Sequence, residues 1–231
     1  MIIGGLQRLT LIDYPHKLAA TVFLAGCNFR CPWCYSSELV LPERIEKQPK
    51  ISDKEFYNFL STRKNLLEGI VVCGGEPCLN KDLPEFILKI KEFGYEVKID
   101  TNGSNPNMLK KLIDNKLIDY IAMDIKGPIR KYKELIGLNF DIENIKKSAS
   151  LIKTNRVDYE FRTTLVPGLL EKEDIIEIGQ WLSGAKRYYL QNFRPQKTIN
   201  PRFEKLKPYP EKYLYQIKEA VSPFFDVCLI R

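Results

Sequence analysis

A chain of 231 residues suits one large domain or two small ones, and a hydrophobic share of 44% is enough to bury a core. The net charge of +7 is compatible with an acidic partner, but no basic run exceeds two residues, which favours a solvated surface over a nucleic-acid face. Six cysteines with three in one short stretch do not form a secreted disulfide pattern, the first residues lack a basic leader, and the longest apolar run, 18–26, is too short for a bilayer. The expectation is a soluble cytoplasmic protein without a membrane span.

Gly4-Gly5 separates Ile2-Ile3 from residues 6–12, which suggests an N-terminal hairpin or paired strand. Residues 19–25 form a short apolar run closed by Gly26, the pattern of a buried parallel strand. It leads into Cys27-Asn28-Phe29-Arg30-Cys31-Pro32-Trp33-Cys34. A regular alternation follows. Ser52 can cap a helix over 52–63, with Phe56, Phe59 and Leu60 on one face. Residues 70–73 form a strand that runs into Gly74-Gly75-Glu76-Pro77. A helix over 82–93 is stopped by Gly94, and strand 96–99 runs into Asp100-Thr101-Asn102-Gly103. A helix over 106–115 starts with Pro106, and strand 118–122 runs into Met123-Asp124-Ile125-Lys126. Asp141 can cap a helix reaching 153. Strand 158–165 runs into Val166-Pro167-Gly168, helix 172–183 follows, and strand 186–190 runs into Gln191-Asn192-Phe193-Arg194-Pro195. The stretch 198–206 reads as irregular. Helix 210–221 and a strand over 225–230 end the chain.

These strand–loop–helix units number about six, two short of a closed TIM barrel. Alternation of this kind implies a parallel sheet. The expected fold is α/β, a partial (βα)6 TIM-like barrel with short N- and C-terminal additions. The polar and Gly-rich stretches all follow strands. In a parallel barrel those strand ends share one face, so Gly26, Gly74, Asp100, Asp124, Arg162 and Gln191 should converge.

The spacing C-x3-C-x2-C can aim three thiolates at one point. Structural zinc usually takes four ligands, so three suit a [4Fe–4S] cluster with one iron free of protein ligands. Zinc completed by a distant residue, or three plain buried cysteines, remains the alternative. With an aromatic residue, Trp33, before the last cysteine, the motif resembles that of radical S-adenosylmethionine (SAM) enzymes. The resemblance implies Cys27, Cys31 and Cys34 as cluster ligands and SAM chelating the open iron. It also implies reductive cleavage of SAM to a 5′-deoxyadenosyl radical that abstracts hydrogen, with the protein supplying orientation and exclusion of water.

Other motifs extend the likeness. Gly74-Gly75-Glu76-Pro77 resembles the family's GGEP loop, where glycines permit close approach and carbonyls with Glu76 would take the SAM ammonium. Asp100-Thr101-Asn102-Gly103 and Asp124-x-Lys126 resemble elements of the glycyl-radical activases. The resemblance implies that Lys126 pairs with the SAM carboxylate, and that Asp100, Thr101, Asp124 and the Met123 carbonyl hold a monovalent cation. An Asx turn and a surface ion pair are the plain readings of the same residues. Arg162 lies in a segment similar to the family's RTT(L/V)VP and needs an anion, either a cofactor or partner carboxylate or a structural one. Gln191 and Asn192 could reach the ribose. Trp33 and Tyr35 are expected to pack over cluster and adenine. Cys73, Cys78 and Cys228 read as free thiols, and His16 as incidental.

The likeness is strongest to activases of anaerobic ribonucleoside-triphosphate reductase, in Gly5-Leu6-Gln7, Leu11-Ile12-Asp13-Tyr14-Pro15, the Asp100 loop and Gln191 to Pro195. It implies one radical SAM domain over 1–231 (core about 18–195, N-terminal strand 1–17, C-terminal extension 196–231). It further implies a glycyl-radical enzyme as partner, and a one-electron donor such as flavodoxin or ferredoxin under anaerobic conditions. Lys131, Lys133, Arg187, Arg194 and Arg202 could rim an opening for the partner. Activation of a pyruvate formate-lyase, and action on a deazapurine precursor or tRNA, are the rival readings. An electron carrier or zinc scaffold would need neither GGEP nor DTNG.

Overall fold

In the computed structural model, which describes residues 1–231, eight strands follow one another across a single sheet in chain order. They are β1 (Ile3–Thr10), β2 (Ala19–Leu24), β3 (Gly69–Gly74), β4 (Glu96–Thr101), β5 (Tyr120–Asp124), β6 (Asp158–Leu165), β7 (Ala185–Asn192) and β8 (Phe225–Ile230). β1 pairs antiparallel with β2, and every later pair is parallel. β1 and β8 do not pair with each other, so the sheet stays open. The expected six-unit barrel is β2 to β7, with β1 and β8 as flanking strands.

The helices are α1 (Ser37–Val40), α2 (Pro42–Ile45), α3 (Asp53–Thr62), α4 (Leu83–Glu92), α5 (Pro106–Asp114), α6 (Tyr132–Ile136), α7 (Glu143–Thr154), α8 (Lys172–Trp181) and α9 (Glu211–Val221). Ser52 caps α3 as its sequence position suggests, accepting the Glu55 N–H at 3.2 Å. Side chains alternate across each strand. Val22, Leu24, Ile70, Val72, Val97, Ile99, Ile121 and Phe161 pack beneath apolar helix faces such as Phe56–Leu60 of α3 and Phe86–Ile90 of α4. Each fully buried Leu, Ile or Phe there contributes about 1.5–3 kcal/mol. The alternate positions face the barrel interior; those of β2 and β3 include the apolar Ala19 and Val71, packed with Tyr14 and Tyr120, whereas β4, β5 and β6 place Lys98, Asp100, Asp124, Glu160 and Arg162 there.

Several local expectations change. Gly4-Gly5 does not break the first segment. β1 runs through both glycines, and a Cβ at Gly4 would lie 2.5 Å from Leu39 Cδ2, so the residue permits close packing of α1. Asp141 does not cap α7. Its Oδ1 accepts the Glu143 N–H at 3.1 Å in the turn before the helix, and Ile142 is the N-cap residue. β5 begins and ends two residues later than its apolar run suggests, and the later end puts Asp124 inside the strand and opposite Arg162 of β6. The stretch read as irregular contains a 3-10 turn, Pro201–Lys205.

Candidate functional site

The chain leaves β2 through Gly26, whose φ of 102° suits glycine, and enters the cysteine loop. Gly26 N–H donates to the Leu39 carbonyl at 2.7 Å, and Arg30 N–H to the Ile136 carbonyl at 2.8 Å. The Arg30 guanidinium holds the loop from within, donating to the carbonyls of Cys27 (2.7 Å) and Phe29 (2.8 Å). Cys31 is buried, Cys27 and Cys34 are half-buried, and all three are free thiols. Burial raises the Cys27 thiol to about 11 and Cys31 to about 12, and it also raises Cys34. Trp33 is buried in the main core, whereas Tyr35 is 60% exposed. No three His, Cys, Asp or Glu side chains stand together as a ready metal-ligand set. The donor chemistry still fits an iron–sulfur cluster: three soft thiols on one tightly held loop, without disulfides.

Glu76 binds the loops after β2, β3 and β4 into one body. Its N–H donates to the Gly26 carbonyl at 2.7 Å. Its Oε1 accepts from Cys78 N–H (3.0 Å) and the Thr101 hydroxyl (2.7 Å), and its Oε2 from Asn102 N–H (2.6 Å). Asn102 reaches the cysteine loop, with Nδ2 donating to Asn28 Oδ1 at 3.0 Å and lying 3.9 Å from Cys27 Sγ. Two expectations look different in this light. The Glu76 side chain is 1% exposed and both of its oxygens accept from protein donors, so its shown role is to hold the loops together. The glycines of the loop make room for backbone rather than ligand: a Cβ at Gly74 would lie 2.2 Å from the Leu24 carbonyl oxygen, and one at Gly75 2.1 Å from that of Gly26. The Gly75 carbonyl itself accepts no backbone hydrogen bond.

The second cluster lies inside the barrel. Arg162 donates from Nη1 to Asp100 Oδ2 (3.0 Å) and from Nε to Asp124 Oδ1 (2.9 Å). Lys98 pairs with Asp100, and Lys126 with Asp124 at 3.3 Å. Glu160 extends the chain. It lies 3.9 Å from Arg162 and takes a two-pronged ion pair from Arg231 at 2.8 and 3.1 Å. Burial pushes Asp124 upward, but Arg162 and Lys126 outweigh it and hold the carboxyl at about 2; Asp100 is lowered in the same way by Arg162 and Lys98. Burial would lower Lys126, but Asp124 and the thiols of Cys31 and Cys34 outweigh it and raise the amine. Asp100 and Asp124 are therefore bridged by an arginine and do not form the open oxygen cage expected for a cation.

Of the candidate site residues, Gly26, Gly74, Gly75, Glu76, Thr101 and Asn102 lie with the cysteine loop, and Asp100, Asp124, Lys126 and Arg162 form the charged interior. Gln191 sits opposite Thr164 on β7 and makes no hydrogen bond to either group, and Asn192 donates to the Tyr209 carbonyl at 2.9 Å. Cys73, Cys78 and Cys228 are free. Lys98, Glu160 and Arg231 are additions. The first two were signalled by charges two residues before Asp100 and Arg162 in strand sequence, which places them on the same face.

Residues 21–182 match the Radical SAM superfamily. The chain belongs to that superfamily. Over 235 aligned residues it is 37% identical to "Putative glycyl-radical enzyme activating enzyme MJ1227" of Methanocaldococcus jannaschii, covering 100% of this chain and 95% of that relative. Its fold is similar to Streptococcus suis SuiB bound to precursor peptide SuiA, with a TM-score of 0.69 at 16% identity over 90% of this chain. The likeness spans about half of SuiB, 47% of its chain. It is also similar to a domain of the pyruvate-formate lyase-activating enzyme of Bacteroides vulgatus, with a TM-score of 0.54 at 15% identity, covering 70% of this chain and 98% of that one. Membership in the radical SAM superfamily implies a [4Fe–4S] cluster and SAM. No helix is long and apolar enough to cross a membrane.

Proposed function

We propose that this radical SAM protein is the activase of a glycyl-radical enzyme, installing the radical on anaerobic ribonucleoside-triphosphate reductase, with residues 1–231 acting as one domain. The supporting observation is the continuous bonding of the cysteine loop through Asn102 to Glu76, which joins three signature loops into one platform. Cys27, Cys31 and Cys34 would hold the cluster. When bound, cluster and SAM supply the one-electron chemistry that removes a hydrogen atom from the partner's glycine.

The protein's own groups bind and orient. The Gly75 carbonyl is free to accept from the SAM ammonium. The interior holds four cations (Lys98, Lys126, Arg162, Arg231) and three carboxylates (Asp100, Asp124, Glu160), a net charge of 4 − 3 = +1. A SAM carboxylate would be attracted to that excess, with Lys126 as its partner on the cysteine side. A monovalent cation beside SAM would require Arg162 to release Asp100 and Asp124. Gln191 is left as a candidate for the ribose. The electron enters from an external donor such as flavodoxin or ferredoxin. Among the basic residues proposed to rim the opening, Lys131 pairs with Asp174 and Arg187 with Asp158, which leaves Lys133, Arg194 and Arg202 to attract an acidic partner.

The test is anaerobic reconstitution followed by reduction with SAM. The expected results are about four irons per chain, 5′-deoxyadenosine release, and a glycyl radical seen by electron paramagnetic resonance on the reductase. A radical on pyruvate formate-lyase alone would change the partner. Turnover of a purine-like compound or tRNA without any protein radical would overturn the activase assignment.

A further inference from the structure

The chain between β7 and α9 passes back over the cysteine loop and bonds to it. Ile199 N–H donates to the Cys34 carbonyl at 3.1 Å, and Asn200 N–H donates to the Pro32 carbonyl at 2.9 Å. The first half of the loop is held by Gly26, by Arg30 and by the Asn102 contact. The second half has one backbone bond of its own, Cys34 N–H to the Cys31 carbonyl at 3.0 Å. The two bonds from residues 199 and 200 are the only backbone hydrogen bonds that reach residues 31–35 from outside the loop.

The crossing segment is itself braced. The Ser37 hydroxyl donates to the Lys197 carbonyl at 3.2 Å, and the Arg44 guanidinium in turn donates to Ser37 Oγ. Thr198 is buried, and its hydroxyl donates to the Asn200 carbonyl at 2.7 Å. Asn200 Oδ1 accepts the Arg202 N–H at 3.1 Å and so starts the 3-10 turn whose Phe203 packs on the core. Lys197 takes a left-handed φ of 50°, uncommon for a residue with a side chain, and this turns the chain into the crossing.

We propose that residues 197–200 are a positioning strap that fixes Cys31 and Cys34 by holding the carbonyls of Pro32 and Cys34. The proposal rests on the reading of Cys27, Cys31 and Cys34 as cluster ligands. A loop without secondary structure of its own takes its shape from such outside bonds, because backbone groups left unpaired in a buried loop are costly. The strap lies outside residues 21–182, the span that matches the superfamily.

The experiment uses the full chain. Ile199→Pro removes the N–H that Cys34 accepts while keeping apolar bulk. Asn200→Ala keeps its N–H and loses only the contact to Arg202. On reconstituted protein the readout is the rate at which a chelator bleaches the cluster. On metal-free protein it is alkylation of Cys34 against Cys228, resolved by peptide mapping, with thermal unfolding as the folding control. Ile199→Pro is expected to release its cluster about tenfold faster, the loss of one net hydrogen bond, and to expose Cys34 but not Cys228. Asn200→Ala should behave as wild type. Unchanged bleaching and unchanged Cys34 alkylation in Ile199→Pro would overturn the strap. If that variant does not fold, Ser37→Ala decides, since it frees the Lys197 carbonyl without altering backbone: faster Cys34 alkylation supports the strap, and no change refutes it. A wild-type protein that binds no iron would refute the cluster reading instead, while the alkylation pattern would still judge the strap.

Discussion

Asn102 stands 3.9 Å from the sulfur of Cys27, although 75 residues separate them in the chain. Its backbone N–H is fixed by Glu76, so its side-chain amide is aimed and does not roam. Donors to a cluster's sulfur ligands raise its reduction potential. Asn102→Ala should therefore make the cluster harder to reduce, and Asn102→Asp harder still, because it adds a negative charge. Redox titration followed by electron paramagnetic resonance reads the potential. A potential that rises in either variant contradicts this role.

Glu76 is a second point of leverage, because three donors meet one buried carboxylate. Glu76→Gln replaces one acceptor oxygen with a donor, so an amide would face the N–H of Asn102 or Cys78. The expected cost is about 1.5–3 kcal/mol, the range for hydrogen bonds to charged groups. Urea unfolding measures it. A midpoint equal to wild type would show that the loops are joined by something other than this residue.

The Asp124 carboxyl sits at about 2 in the fold, below its ordinary 3.8, and Asp100 is displaced the same way. The unfolded chain thus binds more protons between these values, and the stabilisation is complete above pH 3.8 and lost as pH falls through about 2. Asp124→Asn mimics the protonated carboxyl. The stability gap between wild type and this variant should be widest above pH 4 and close toward pH 2. Urea unfolding at pH 6, 4 and 3 tests the direction; a gap that widens in acid has the wrong sign.

The barrel and the signature loops are legible in the sequence because their signals are local. Apolar runs such as Ile70-Val71-Val72 and the glycines and polar residues after them mark strand ends without knowledge of the partner strands. What a side chain does at those ends is not local. Glu76 looks like a ligand donor by position, yet its partners Thr101 and Asn102 come from the next unit, and their arrival takes both oxygens. Arg162 shows the same effect. Its need for an anion is clear from strand context, but the choice of Asp100 and Asp124 follows from β4 and β5 standing next to β6 in the sheet, with Asp124 directly opposite Arg162. The strap at 197–200 carries no periodicity, and its bonds run through backbone, which sequence does not distinguish.

The last prediction concerns Arg231 and Glu160. Glu160 is wholly buried, with Tyr120 donating its hydroxyl at 2.9 Å and Arg231 closing over both oxygens. The Arg231 guanidinium also lies 3.5 Å from the centre of the Tyr189 ring, a cation–π contact that adds to the ion pair. Removing one partner of a buried pair leaves the other charge without compensation, which is costlier than the pair is worth. Arg231→Ala should cost roughly 3 kcal/mol, the lower end for such a loss, because Arg231 keeps some contact with water and its absence lets solvent reach Glu160. Glu160→Gln combined with Arg231→Ala should recover most of that cost, since no buried charge is left behind. The effect should also reach the site. Without Arg231, Glu160 becomes the stronger pull on Arg162, 3.9 Å away, and competes with Asp100 and Asp124 for it. SAM affinity should then fall in Arg231→Ala and recover in the double variant. Calorimetric titration of SAM alongside urea unfolding separates the two effects. If stability falls without any change in affinity, the Arg231–Glu160 pair serves the fold alone, and the charged interior is not one connected network.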